Sequence, residues 1–120
     1  MPDKVMTKQE IQMLVELGLE ANGCNKENSS AVARTIAAAE LDGCAAHGLF
    51  RMPGYVASLR SGKVNGNASP VVSRLSPGVV KVDGDHGYAP LALEKGREAL
   101  IQAAKESGIA AMVLVNVHHF

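Results

Sequence analysis

An α/β fold is predicted, with a helical N-terminal part over residues 1–62 and a small sheet under one covering helix over residues 63–120. Three observations predict it. Before Gly62 the apolar residues recur at helical spacing between capping signals. Between residues 71 and 82 they fall in short β-branched runs bounded by Pro, Gly, Asn and Asp. After a long amphipathic stretch, residues 109–117 form a nearly continuous apolar run. Neither a repeat, nor a low-complexity tract, nor a domain boundary interrupts the chain.

Taken in order, Thr7-Lys8-Gln9-Glu10 matches a capping box, in which Thr7 and Glu10 satisfy each other's free amides at a helix start. Ile11, Leu14, Val15 and Leu19 supply the apolar stripe, and Asn22-Gly23 supplies the stop. A second helix starts after Asn25 and runs through Val32, Ile36 and Ala39 to about Asp42. Residues 43–48 break that pattern and deliver His47 to the mouth of a third helix, which carries Tyr55, Val56 and Leu59 and ends at Ser61-Gly62. Asn65-Gly66-Asn67 is a turn signal. Val71 to Leu75 then reads as a strand, turned by Ser76-Pro77-Gly78, and Val79 to Val82 as a second strand, stopped by Asp83-Gly84-Asp85. Pro90 to Ser107 is the covering helix, with Leu93, Ala99, Leu100 and Ala103 facing inward and Gly108 closing it. Ile109 to Val117 is the buried strand.

Composition excludes several function classes. Twelve basic and twelve acidic residues balance, so no overall field recruits nucleic acid or an anionic membrane. No apolar run approaches the roughly 20 residues of a membrane span. The N-terminus lacks the apolar core and small-residue cleavage site of a signal peptide, which makes the cytoplasm the expected compartment. Cys24 and Cys44 have neither C-x-x-C nor zinc spacing and read as two free thiols. Aromatics are scarce and Trp is absent, so Leu, Val, Ile, Met and Ala fill the core.

The chemistry concentrates in residues 42–56. His47 stands four residues before Arg51, with Gly48 between them and Pro53 beyond. On a helix such a pair shares one face, with Cβ atoms roughly 5–6 Å apart. A guanidinium fork can hold a carboxylate while an imidazole gives a proton to the neighbouring carbonyl or imine, which suits a 2-oxo or 2-imino acid. The same spacing also occurs on solvated helix faces, and a histidine at a helix start can simply bond the backbone. His118 and His119 are adjacent on a strand and point to opposite faces, so they share no metal, and no third ligand is spaced to complete a site. His86 beside Asp83 and Asp85 reads as turn chemistry. No dinucleotide fingerprint of the G-x-G-x-x-G type, no P-loop and no G-x-S-x-G elbow occurs.

His47-Gly-Leu-Phe-Arg-Met-Pro-Gly-Tyr-Val56 resembles a motif of the malate/L-lactate dehydrogenase-like family of NAD(P)-dependent oxidoreductases. The likeness continues through Leu59 to Val64, Val82-Asp83-Gly84, the long helix ending near Gly108, and Asn116-Val117-His118-His119-Phe120. Within the family it is most similar to the reductases of Δ1-piperideine-2-carboxylate and Δ1-pyrroline-2-carboxylate. The resemblance implies a non-Rossmann α/β fold, which agrees with the missing fingerprint. It implies NADP or NAD as cofactor, a small-molecule carboxylate as substrate, and a homodimer at full length. By the same resemblance His47 is the catalytic proton donor, Arg51 binds the substrate carboxylate, and His119 and Phe120 contact the cofactor; the last two also read as a pair closing the sheet.

Two features set this chain apart. The family has serine before the histidine, part of a relay to a later aspartate, and here Ala46 stands in its place. Family members are also much longer than 120 residues, and a core strand running straight into a His-His-Phe cluster is an unusual domain end. The chain is therefore expected to be an N-terminal fragment of a larger fold, inactive alone. The competing reading is a non-catalytic α/β module that binds a small carboxylate or a partner chain.

Overall fold

A computed structural model describes residues 3–118. Helix α1 (Lys8–Glu20) starts at the predicted capping box: the Thr7 hydroxyl accepts from the Glu10 amide at 3.1 Å, and the Glu10 carboxylate accepts from the Thr7 amide at 3.2 Å. Asn25 caps α2 (Lys26–Leu41) through its side-chain oxygen, which accepts from the Asn28 amide at 3.0 Å. Two short 3-10 turns, Ala45–His47 and Leu49–Arg51, lead into α3 (Met52–Arg60), whose first turn holds Pro53. Strands β1 (Val71–Ser76) and β2 (Val79–Tyr88), helix α4 (Ala89–Ser107) and strand β3 (Ala111–His118) follow. The sheet order is β1-β2-β3, with β1 antiparallel and β3 parallel to the central β2. Parallel pairing demands a crossover, and α4 is that crossover.

Two apolar clusters result. Ile11, Val15, Leu19, Val32, Ile36 and Tyr55 belong to a helical core, and Val80, Val82, Ala92 and Ala103 to a smaller one between α4 and the sheet. Each fully buried Leu or Ile of the first contributes roughly 1.5–3 kcal/mol relative to exposure. Polar ties join the halves. Arg34 of α2 grips Glu94 of α4 with two bonds of 3.0 and 2.6 Å, and the buried Asn28 amide donates to the Ala68 carbonyl at 3.0 Å.

Four sequence expectations are corrected. Leu14 lies on the flank of the α1 stripe and is exposed, because Ile11, Val15 and Leu19 already fill the seam with α2. Leu93 also turns outward; the inner face of α4 consists of Ala92, Gly96, Ala99 and Ala103, small residues that bring the helix axis close to the strands. The second strand does not stop at Asp83. It passes a bulge and continues to Tyr88. There Asp83 Oδ1 accepts from the Asp85 amide at 3.0 Å and Asp85 Oδ2 from the Ser69 amide at 3.1 Å, while Asp85 and His86 take left-handed conformations. The acidic turn residues thus kink the strand without ending it, and His86 serves in that kink.

The third strand differs most from its expectation. It begins at Ala111, not Ile109, and is an edge strand whose residues alternate between half-buried and exposed, Val113 being 44% exposed. Its apolar run would suit a strand covered on both faces, but among the described residues it has one neighbour, β2, and one covering helix, α4.

Two measurements check this packing. Burial pushes the Cys24 thiol up to about 11, with Glu20 adding to the shift, whereas Cys44 is exposed. At mildly alkaline pH a thiol reagent should therefore modify one cysteine per folded chain, Cys44, and reach Cys24 only after unfolding. In α4, a Cβ at Gly96 would collide with Met112 Sδ and come within 2.6 Å of Val82 Cγ2. Gly96→Ala gains about 1 kcal/mol of helix propensity but overpacks the smaller core, which costs about 1–3 kcal/mol. The expected sum is destabilisation, read as a lower urea midpoint.

Candidate active site

The loop between α2 and α3 is built from two single turns. The His47 amide donates to the Cys44 carbonyl at 2.9 Å and the Gly48 amide to the Ala45 carbonyl at 3.2 Å, closing the first. The Arg51 amide donates to the Gly48 carbonyl at 3.0 Å and closes the second. Gly48 sits between them in a non-helical conformation, with φ −96° and ψ −139°. His47 and Arg51 therefore do not share one continuous helix, contrary to the geometry their spacing suggests. Tight 3-10 turns around a non-helical glycine replace the α-helical path. What unites the two residues is the loop itself. Arg51 Nε donates to the Ala46 carbonyl at 2.9 Å, so the arginine side chain folds back over the turn that carries His47.

That bond uses one edge of the guanidinium. Arg51 is half-buried, and among the described residues no carboxylate pairs with it and its two terminal nitrogens make no hydrogen bond, which leaves them for a two-pronged contact. His47 is exposed at the end of its turn. Beside them Ala45, Ala46 and Phe50 line a shallow cavity of about 240 Å³, and Phe50 is 77% exposed. Ala46 thus contributes an apolar wall to the turn that carries His47. A larger open hollow of about 720 Å³ begins where the loop ends, along Met52, Val56, Ala57 and Arg60 of α3.

The underside of the loop is fixed by buried tyrosines. Tyr88 donates its hydroxyl to the Tyr55 carbonyl at 2.6 Å, and the two rings meet edge to face with centroids 5.0 Å apart. Burial pushes both phenols well above their ordinary range, although Arg51 acts against this at Tyr55. Both hydroxyls therefore stay neutral. At the far end of α3, about 10 Å along the axis from Arg51, Ser58 Oγ lies 3.2 Å from His118 Nε2, and the His118 ring packs on Tyr88. His119 and Phe120, the expected cofactor contacts, lie outside the described residues.

Sequence reasoning missed Glu40, whose carboxylate accepts from the Leu49 amide at 2.8 Å, and the Ser58–His118 contact. A glycine flanked by two chemistry-bearing residues was the available sign of the first; the second joins residues 60 apart and had none. Among the described residues no three His, Cys, Asp or Glu side chains gather as a metal site, and no helix is long and apolar enough to cross a membrane. Helix α4 is the one helix here that directly follows a strand, and its first turn is closed by buried Tyr88, Ala89 and Pro90.

Comparison with known proteins supplies the family. Over 111 residues the chain is 50% identical to a Δ1-pyrroline-2-carboxylate reductase of Ancylobacter novellus, a match that covers 92% of this chain and 33% of that protein. A Δ1-pyrroline-2-carboxylate/Δ1-piperideine-2-carboxylate reductase of Pseudomonas putida is 42% identical over the same shares. Among solved structures, the Δ1-piperideine-2-carboxylate reductase of Pseudomonas syringae pv. tomato superposes with a TM-score of 0.94 at 35% identity, over 98% of this chain and 36% of that one. Malate dehydrogenase from Pyrococcus horikoshii superposes with a TM-score of 0.83 at 28% identity, over 96% and 33%. The chain spans about a third of the length of these relatives. The malate/L-lactate dehydrogenase family profile matches residues 6–120, and the chain belongs to that family.

Proposed function

We propose that this chain supplies the carboxylate-binding and proton-donating part of an NAD(P)H-dependent reductase of cyclic 2-imino acids, of the Δ1-pyrroline- or Δ1-piperideine-2-carboxylate type, or of related 2-oxo acids. The observation that carries this reading is the Arg51 side chain. It is anchored by Nε on Ala46 and has no carboxylate partner among the described residues, within one short loop from an exposed histidine. The family and the named reductases among the relatives support it. The homodimer implied by the resemblance belongs to the same proposal.

The chain's own residues have two tasks in this reading. Arg51 receives the substrate carboxylate, which fixes the adjacent C=N or C=O bond relative to the loop. His47 then gives a proton to the nitrogen or oxygen as that double bond is reduced, so the heteroatom leaves as an amine or alcohol and no anion accumulates. The hydride of this reaction class comes from the nicotinamide, and His47 and Arg51 carry the chemistry assigned to this chain. Ala46 favours a second reading, a module that binds the acid without reducing it, because the imidazole lacks a neighbouring hydroxyl to hold its tautomer.

Kinetics separates the two. The 120-residue chain alone, mixed with NADPH and Δ1-piperideine-2-carboxylate, is expected to leave the nicotinamide absorbance unchanged; steady oxidation would show that these residues suffice. Expressed through its complete reading frame, the parent protein should oxidise NADPH. There Arg51→Lys, which keeps the charge and loses the fork, should raise KM for the acid more than KM for NADPH. His47→Ala should lower turnover by about 100- to 10,000-fold, and Ala46→Ser should raise it. Near-parental turnover in His47→Ala would remove the histidine from the mechanism, and acid binding without turnover in the parent would favour the module.

A further inference from the structure

We propose that Glu40 is a positioning residue for the His47–Arg51 loop, acting from α2 as the N-terminal cap that the loop itself lacks. The inference rests on the reading above for its catalytic consequence and on geometry alone for the rest.

The turn Leu49–Arg51 and the helix α3 that continues it both begin without a side-chain cap, Gly48 preceding the first and Arg51 the second. The open amides of a helix start need an acceptor. Glu40, in the last turn of α2, reaches across and places Oε1 2.8 Å from the Leu49 amide nitrogen. A carboxylate there is the favoured partner twice over: the bond is charge-assisted, and the negative group faces the positive end of the helical segment.

Gly48 is the second half of the device. It is buried, and a Cβ built on it would collide with Glu40 Oε1 and stand 2.8 Å from Glu40 Cγ. The glutamate side chain thus occupies the volume that any other residue at position 48 would fill. Together with the bond from Arg51 Nε to the Ala46 carbonyl, this pins the loop at two points, one on each side of Gly48. His47 and Arg51 are attached to the two turns so pinned. Loss of the Glu40 contact frees the second turn relative to the first, which changes the angle at which the guanidinium and imidazole meet one substrate. A displacement of about 1 Å can cost on the order of 100-fold in rate.

The test combines amide exchange on the 120-residue chain with kinetics on the protein from the complete reading frame. Glu40→Gln keeps an acceptor in place and should retain both Leu49 amide protection and the parental KM for Δ1-piperideine-2-carboxylate to within a few-fold. Glu40→Ala should speed Leu49 exchange at least about tenfold. It should also raise KM for the acid and lower turnover by about tenfold or more each, with KM for NADPH unchanged. Gly48→Ala, which expels the glutamate by collision, should reproduce these losses, and adding it to Glu40→Ala should cost much less than adding it to the parent. Unchanged Leu49 exchange in Glu40→Ala, or parental KM and turnover in an active enzyme, overturns the proposal. So do fully additive effects of the two substitutions. If Glu40→Ala fails to fold, the Gln and Gly48 variants decide. A parent that oxidises no NADPH defeats the reductase reading instead, and Leu49 exchange then decides the positioning role.

Discussion

Tyr88 closes β2, stands at the N-terminal boundary of α4, and yet belongs to the apolar core of the helical half. Its ring is almost completely buried, and its hydroxyl must find an acceptor there, since an unpaired buried hydroxyl costs about 1–3 kcal/mol. The Tyr55 carbonyl provides it. Through this one side chain the end of the central strand, the start of the crossover helix and the middle of α3 take a common position. The bulge at Asp83 to Gly87 is what lets β2 reach so far, because it redirects the strand toward the helices without ending its pairing with β3.

The loop that holds His47 depends on that arrangement. Helix α3 is short and has no side-chain cap of its own, and it is held from below by Tyr55, from its far end by the Ser58–His118 contact, and at its approach by Glu40. Ordered elements on every side allow an exposed histidine and an arginine to keep a defined relation in a segment that is not itself a regular helix. The His47 side chain is exposed and that of Arg51 half-buried, while the amides of His47, Gly48, Leu49 and Arg51 beneath them are all bonded. Such a division suits a site that must admit a substrate without reorganising.

Family membership and local geometry bear on different questions. The relatives share a fold over nearly all of this chain, and the chain spans about a third of their length. The geometry says which groups are available here: a half-engaged guanidinium, an exposed imidazole, and an apolar wall at Ala46.

Much of the fold was legible in the residues. Thr7 with Glu10, Asn25, and Asn22-Gly23 announced the helix ends by their own hydrogen-bonding chemistry, and the β-branched pairs at 71–72 and 79–80 announced strands; these are short-range effects, complete within a few residues. The motif around His47 and Arg51 announced the candidate site and its family in the same local way. Long-range neighbours decided the rest. Which side of α4 faces the sheet was settled by the close approach at Gly96, not by its leucines. Among the described residues the third strand has one neighbour, because pairing partners are supplied by topology, which apolar content cannot reveal. Gly48, which the sequence shows only as a glycine between His47 and Arg51, is buried under a carboxylate from another helix. Local chemistry determines where elements begin and end; only the assembled chain determines which distant group completes them.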